Sequence, residues 1–96
     1  MTRPAIHPGV HIANELEELG MSAAQLAREL GIPANRLTEI IRGRRGISAD
    51  TALRLARWLG TTPLLWMNLQ KNYELRLAMN EHGDEIVRTV RPRVVA

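Results

Sequence analysis

Ninety-six residues are enough for one small domain that buries about 60–65% of its unfolded surface around a single core, which excludes a multi-domain reading. Hydrophobic residues are 45% and charged residues 24% of the chain, which excludes a disordered tail or a coiled-coil rod; with no cysteine there is no disulfide framework, thiolate metal site or cysteine nucleophile. The net charge of +3 is uneven: −2 over residues 1–20, +4 over 21–60 and +1 over 61–96, and all seven basic residues of the middle segment are arginines. Arginine grips phosphates and guanine edges bidentately where lysine acts as a point charge, so this segment leans toward contact with a polyanion.

Punctuation divides the chain into short pieces of helical period, without internal repeats or linkers. Pro8 opens a first helix over about 8–19, with Ile12, Ala13, Leu16 and Leu19 as its apolar positions and Gly20 as its stop. Ser22 and Gln25 form a capping-box signature before a second helix, about 23–30, carrying Ala23, Leu26, Ala27 and Leu30. After Gly31-Ile32-Pro33, a third helix over about 34–42 presents Leu37, Ile40 and Ile41. The loop Arg42-Gly43-Arg44-Arg45-Gly46 leads to Ser48 as N-cap and a fourth helix, about 49–59, with Ala52, Leu53, Leu55, Ala56 and Leu59. Thr62-Pro63 starts a fifth helix, expected over about 63–79, in which Leu65, Leu69, Tyr73 and Leu77 recur every four residues beside Trp66.

Beyond Asn80 the pattern changes. Glu81-His82-Gly83-Asp84 reads as a turn, and Ile86 to Val95 is rich in β-branched residues and interrupted by Pro92, compatible with a helical turn or an extended edge. The expected division is a helical domain over 1–80 and a C-terminal extension over 81–96. In that extension Ile86, Val87, Val90, Val94 and Val95 are too apolar to remain in water and are expected to form an interface.

The second and third helices carry the informative motif. Gln25 to Pro33 places Ala27 where a following helix must approach closely and Gly31 where the chain reverses, while Leu37 and Ile40 tie the second member to the core. This is a helix-turn-helix, whose second helix lies in the DNA major groove. Residues Ser22 to Gly43 resemble the phage-repressor-like, Xre-type helix-turn-helix domains. Three further stretches are similar to the HigA-type antitoxins of bacterial toxin–antitoxin modules: Arg3-Pro4-Ala5-Ile6-His7-Pro8-Gly9, Arg44 to Ala56, and Trp66-Met67-Asn68-Leu69-Gln70 with Tyr73. The resemblance covers residues 3–79, about four fifths of the chain, and departs at Val10-His11, where an acidic residue is expected after Pro-Gly. It implies an all-α, five-helix, lambda-repressor-like fold and a homodimeric operator-binding repressor. It further implies neutralisation of a HigB-type toxin of the messenger-RNA endonuclease class.

With Leu37, Ile40 and Ile41 turned inward, the base-edge candidates on the third helix are Asn35, Arg36, Thr38 and Glu39. Asparagine pairs with adenine, arginine with guanine, threonine with a polar edge or a thymine methyl, and glutamate accepts from cytosine. Glu39 is the weakest, because it must approach phosphates and has Arg36 and Arg42 as alternative partners. Ser22 and Gln25 at the start of the second helix, with Arg42, Arg44 and Arg45 in the loop, suit phosphate contacts that orient without reading sequence. Arg28, Arg54 and Arg57 are lesser candidates on exposed helix positions.

Other readings fit less well. His7, His11 and Glu15 stand four apart, a tolerable metal-ligand spacing, but His7 suits the start of the first helix and His11 with Glu15 an exposed pair, so no metal and no cofactor is expected. There is no His-Glu-x-x-His, Gly-rich phosphate loop or nucleophile with a partnered base, so an enzyme is not expected. With two Trp, one Tyr and no Phe, base stacking on single strands is disfavoured, and Trp58, Trp66 and Tyr73 suit core packing. A module that only binds a toxin, with an inert helix-turn-helix, leaves Asn35, Arg36 and Thr38 beside the arginine loop without purpose; a stand-alone Xre-type regulator without a toxin is the main alternative. With no apolar leader and no run of about 18 apolar residues, a soluble cytoplasmic protein is expected.

Overall fold

The computed structural model describes residues 3–94 as five α-helices: α1 (Gly9–Leu19), α2 (Ala23–Leu30), α3 (Ala34–Ile41), α4 (Ala49–Leu59) and α5 (Pro63–Thr89). Hydroxyl caps begin three of them: Ser22 Oγ accepts from Gln25 N, Ser48 Oγ from Thr51 N and Thr62 Oγ1 from Leu65 N. Ser22 and Gln25 complete the expected capping box, since Gln25 Oε1 also accepts from Ser22 N at 2.8 Å. At the turn between α2 and α3, Gly31 adopts φ +70°, a conformation that side chains with a Cβ resist.

One core joins all five helices: Ile12 and Leu16 of α1, Leu26, Ala27 and Leu30 of α2, Leu37 and Ile40 of α3, Ala52, Leu55 and Ala56 of α4, and Trp66 of α5, with Ile32 and Ile47 from the connecting loops. Leu53 lies outside it, exposed on α4. The α5 stripe also differs from the expected one. Its buried residues are Trp66 and Gln70, with Tyr73 and Leu77 half-buried, while Leu65 is exposed. A four-residue repeat advances about 40° per step on a helix of 3.6 residues per turn, so Leu65 and Leu77 cannot face the same core. The series 66, 70, 73, 77 corrects the drift and places Gln70 inward.

The expected turn at Glu81-His82-Gly83-Asp84 is helical, and α5 continues unbroken to Thr89. Extending an established helix adds a hydrogen bond for each residue ordered, and one interior glycine costs only about 1 kcal/mol, too little to end a helix already more than five turns long. The end is set later. Proline disfavours helical geometry in the residue before it, and ahead of Arg91-Pro92 the backbone turns extended at Val90, φ −104° and ψ 111°. Ile86, Val87, Val90 and Val94, expected to form an interface, are all exposed in the single chain and outside its core; Val95 lies outside the described residues.

Two glycines should respond oppositely to the same change. Around a Cβ on Gly9 the Ile40 carbonyl oxygen would overlap and the Ile40 carbonyl carbon would stand at 2.8 Å, backbone that cannot swing aside. Gly83 has nothing within 4 Å of that position. Gly9→Ala should destabilise by about 1–3 kcal/mol through overpacking, whereas Gly83→Ala should leave the monomeric fold unchanged or raise its stability by up to about 1 kcal/mol. Urea titration of both variants, the second at a chain concentration low enough to keep it monomeric, checks the contrast.

Candidate nucleic-acid interface

The seating of α3 decides which side chains it presents. Leu37 and Ile40 are wholly buried against α1 and α2, and the helix that carries them passes against Gly9. The opposite side presents Asn35, exposed, with Arg36, Thr38 and Glu39 partly exposed. Asn35, Thr38, Glu39 and Arg42 are spaced 3, 1 and 3 residues apart, one continuous face of the helix. Thr38 Oγ1 donates to the Ala34 carbonyl at 3.0 Å, so toward a ligand it offers its methyl group and an acceptor oxygen.

Two of the four base-edge candidates are engaged in ion pairs. Arg36 Nη1 lies 3.2 Å from Asp50 Oδ2 in the first turn of α4. The same oxygen takes Arg54 Nε at 3.0 Å, and Arg54 Nη1 donates to the carbonyls of Leu30 at 2.8 Å and Gly31 at 3.3 Å. Arg54 therefore caps the C-terminus of α2 from α4 and is not a free surface cation. Glu39 pairs with Arg45 at 2.8 Å, neither of the partners expected for it. Arg36, Arg45 and Arg54 line a shallow cleft of about 500 Å³ together with Gly46, Ser48, Asp50 and Thr51. Arg42 and Arg44 are exposed and form no ion pair among the described residues.

The arginine loop is held from beneath by two residues. Gln70, buried on α5, accepts from Ile47 N through Oε1 at 2.8 Å, and its amide fills the space a Cβ on Gly46 would need, 2.8 Å from Nε2. A backbone N–H buried without that acceptor would cost about 1–3 kcal/mol. His7 holds the other side. Its Nδ1 accepts from Gly9 N at 2.9 Å, its ring meets Tyr73 edge-on at a centroid distance of 4.8 Å, and it shares a hydrogen bond with the Arg45 backbone. These contacts join the segment before α1, the loop and α5 at one point. Burial lowers the His7 pKa below its ordinary value of 6.5, and the Arg45 hydrogen bond opposes this in part.

Ser22 and Gln25 stand apart from this network and bond to each other at the N-terminus of α2. The capping box turns the Gln25 carbonyl oxygen inward, which leaves its amide N–H groups and the Ser22 hydroxyl proton available to an anion. Among the described residues no group of three His, Cys, Asp or Glu side chains is placed to hold a metal ion, and His7 uses Nδ1 within the fold.

Sequence reasoning missed three contributors. Asp50 reads as an ordinary first-turn acid, Gln70 belongs to a matching stretch without indicating a role, and the proximity of His7 to the loop follows from long-range packing. The signal available for Gln70 was its position, four residues after Trp66 on the inward face.

The helix-turn-helix family HTH_3 matches residues 12–66. The solved structure of an addiction module antidote protein of a HigA family from Coxiella burnetii is similar over 95% of this chain and 100% of its own, with a TM-score of 0.92 and 50% identity. Pseudomonas aeruginosa antitoxin HigA, solved with the higBA promoter, is similar over 95% of this chain and 100% of its own, with a TM-score of 0.90 and 41% identity. Virulence-associated protein I of Dichelobacter nodosus is 47% identical over 76 residues, 78% of this chain and 70% of that protein.

The His7 contacts predict an acid-side loss of stability. A histidine whose folded pKa lies below its unfolded value binds more protons when unfolded. Its contribution is complete above about pH 6.5 and is lost as pH falls through the depressed folded value. Thermal melts between pH 7.5 and 5 should therefore show a declining Tm beginning near pH 6.5. His7→Asn, which retains an acceptor for Gly9 N without titrating, should flatten that decline; an unchanged slope in the variant would assign it elsewhere.

Proposed function

The chain belongs to the HTH_3 helix-turn-helix family, among its HigA-type antitoxins, and from that premise we propose that it is a homodimeric operator-binding repressor that also neutralises a cognate toxin. The observation that carries this reading is the outward face of α3, with Asn35, Arg36, Thr38 and Glu39 beside an arginine loop braced by Gln70 and His7. Braced donors lose less freedom when they bind than mobile ones. In this reading α3 enters the major groove, and Asn35, Arg36 and Thr38 face base edges. Glu39 takes part by releasing Arg45 or by accepting from cytosine.

Arg42, Arg44 and Arg45, with Ser22 and Gln25 at the α2 N-terminus, bind the flanking phosphates. The site's chemistry is that of donors arranged for an anionic duplex, so the protein is read as a binding protein and not an enzyme, acting in the cytoplasm where its operator lies. No helix among the described residues is long and apolar enough to cross a membrane. The toxin expected as partner is the HigB-type messenger-RNA endonuclease that the family resemblance implies.

The dimer is assigned to the outer part of α5 and the segment after it. Met79, Ile86 and Val87 are exposed on α5 and Val90 and Val94 beyond it, and no element among the described residues covers them. An exposed apolar series of this kind marks an interface. A single recognition helix reads only a few base pairs, so twofold pairing extends the site over a palindrome.

Two measurements test the reading. After an operator is selected from random duplexes, Arg36→Ala or Asn35→Ala should cost about 1–3 kcal/mol and relax preference at one position. Arg44→Ala should weaken all sequences alike, and three loop arginines in each of two subunits predict a log–log salt slope of about −5. Equal losses on operator and random DNA from the α3 and loop variants would overturn the assignment of readers.

Truncation after Asn80 should keep a cooperative melt while lowering the sedimentation mass from dimer to monomer and weakening operator binding. A truncated chain that stays dimeric would remove residues 81–94 from the interface.

A further inference from the structure

Asp50 occupies a position that the proposed readout does not explain. It belongs to α4, not to the recognition helix, yet one of its carboxylate oxygens holds both Arg36 and Arg54. Arg54 is anchored at its far end to the Leu30 and Gly31 carbonyls, the last turn of α2 and the turn that follows. The chain of contacts therefore runs from the C-terminus of α2 through Arg54 and Asp50 to Arg36 on α3, spanning both members of the helix-turn-helix from outside. The Arg36 side chain is about one third exposed, so it is neither buried nor free.

We propose that Asp50 is a specificity-determining positioning residue: its carboxylate holds the Arg36 guanidinium in place and neutralises it against any duplex that does not present a bidentate acceptor there. This rests on the reading of α3 as the recognition helix. Off the operator, Arg36 and Asp50 satisfy each other, and a phosphate reached at random must compete with a carboxylate already in place. At the operator, a guanine edge offers two acceptors in the plane of the guanidinium fork, while the N–H groups not bonded to Asp50 remain available to it. The carboxylate thereby subtracts more from random binding than from operator binding. Arg54, fixed to backbone carbonyls, stops Asp50 from following Arg36 toward the DNA.

The test measures operator and random-duplex affinities at one salt concentration for wild type, Asp50→Asn, Arg36→Ala and the double variant. Asp50→Asn keeps a side-chain oxygen for Arg54 and the size of the residue. It should tighten random binding and lower the operator-to-random ratio by about two- to fivefold, the size of an exposed ion-pair coupling. Removal of any negative charge also tightens DNA binding in general, so the decisive quantity is the cycle. In the Arg36→Ala background, Asp50→Asn should leave the ratio unchanged.

A fall in the ratio that persists without Arg36, or no fall in its presence, would overturn the inference. Asp50→Ala, scored only if its melt remains cooperative, should reproduce the result without an amide able to bond to DNA, and a disagreement between the two variants would count against a role for the carboxylate. A wild-type chain that selects no consensus from random duplexes would instead overturn the reading of α3, a separate outcome from a selective wild type that is indifferent at Asp50.

Discussion

The start of α1 and the end of α3 cross so closely that Gly9 has no room for a side chain beneath the Ile40 carbonyl. Everything presented outward by α3 depends on this crossing. With Leu37 and Ile40 fully buried beside it, the helix is fixed in rotation as well as in depth, and Asn35, Arg36, Thr38 and Glu39 are carried on the remaining side. A rotation of α3 by 100° would replace one outward side chain with its neighbour in the chain. The His7 bond to Gly9 N completes the arrangement by fixing how the chain enters α1.

Charge is distributed with similar economy. The middle of the chain carries the arginine surplus, but Arg54 is spent on the α2 carbonyls, Arg36 is tethered by Asp50 and Arg45 by Glu39. Each exposed pair stabilises the fold by no more than about 1 kcal/mol. Their larger effect is on geometry, since a guanidinium with one carboxylate partner samples fewer directions than a free one. Arg42 and Arg44 form no such pair among the described residues, which suits them to phosphates, which accept from many directions.

Helix α5 connects these levels. Trp66 belongs to the core, with its indole N–H satisfied by Thr61 Oγ1 at 2.9 Å, and one turn later Gln70 supports the arginine loop. Tyr73 meets His7, and Asn80 Nδ2 donates to the Arg3 carbonyl at 2.6 Å, tying the N-terminal segment along the same helix. Past that point α5 leaves the domain and shows its apolar residues to solvent. The helix that braces the loop thus also carries the surface proposed for pairing.

Local chemistry determined the helices: glycine stops, Ser22, Ser48 and Thr62 caps, and apolar spacing gave α1 to α4 within a residue at each end, together with the helix-turn-helix and the face of α3. These depend on neighbours within a few positions, which is why they were legible. The end of α5 was not, because Gly83 and the β-branched residues argue locally for a break while an established helix extends at little cost until Pro92 constrains the backbone. The partners of Arg36, Glu39 and Arg54 and the roles of Gln70 and His7 were equally hidden. Gln70 lies 23 residues from Ile47, and Arg54 lies 24 from Leu30. Contacts across such separations exist only after the helices have packed. The sequence by itself therefore determined which residues face outward on α3, and the tertiary structure decided which of them are held, by what, and in which direction.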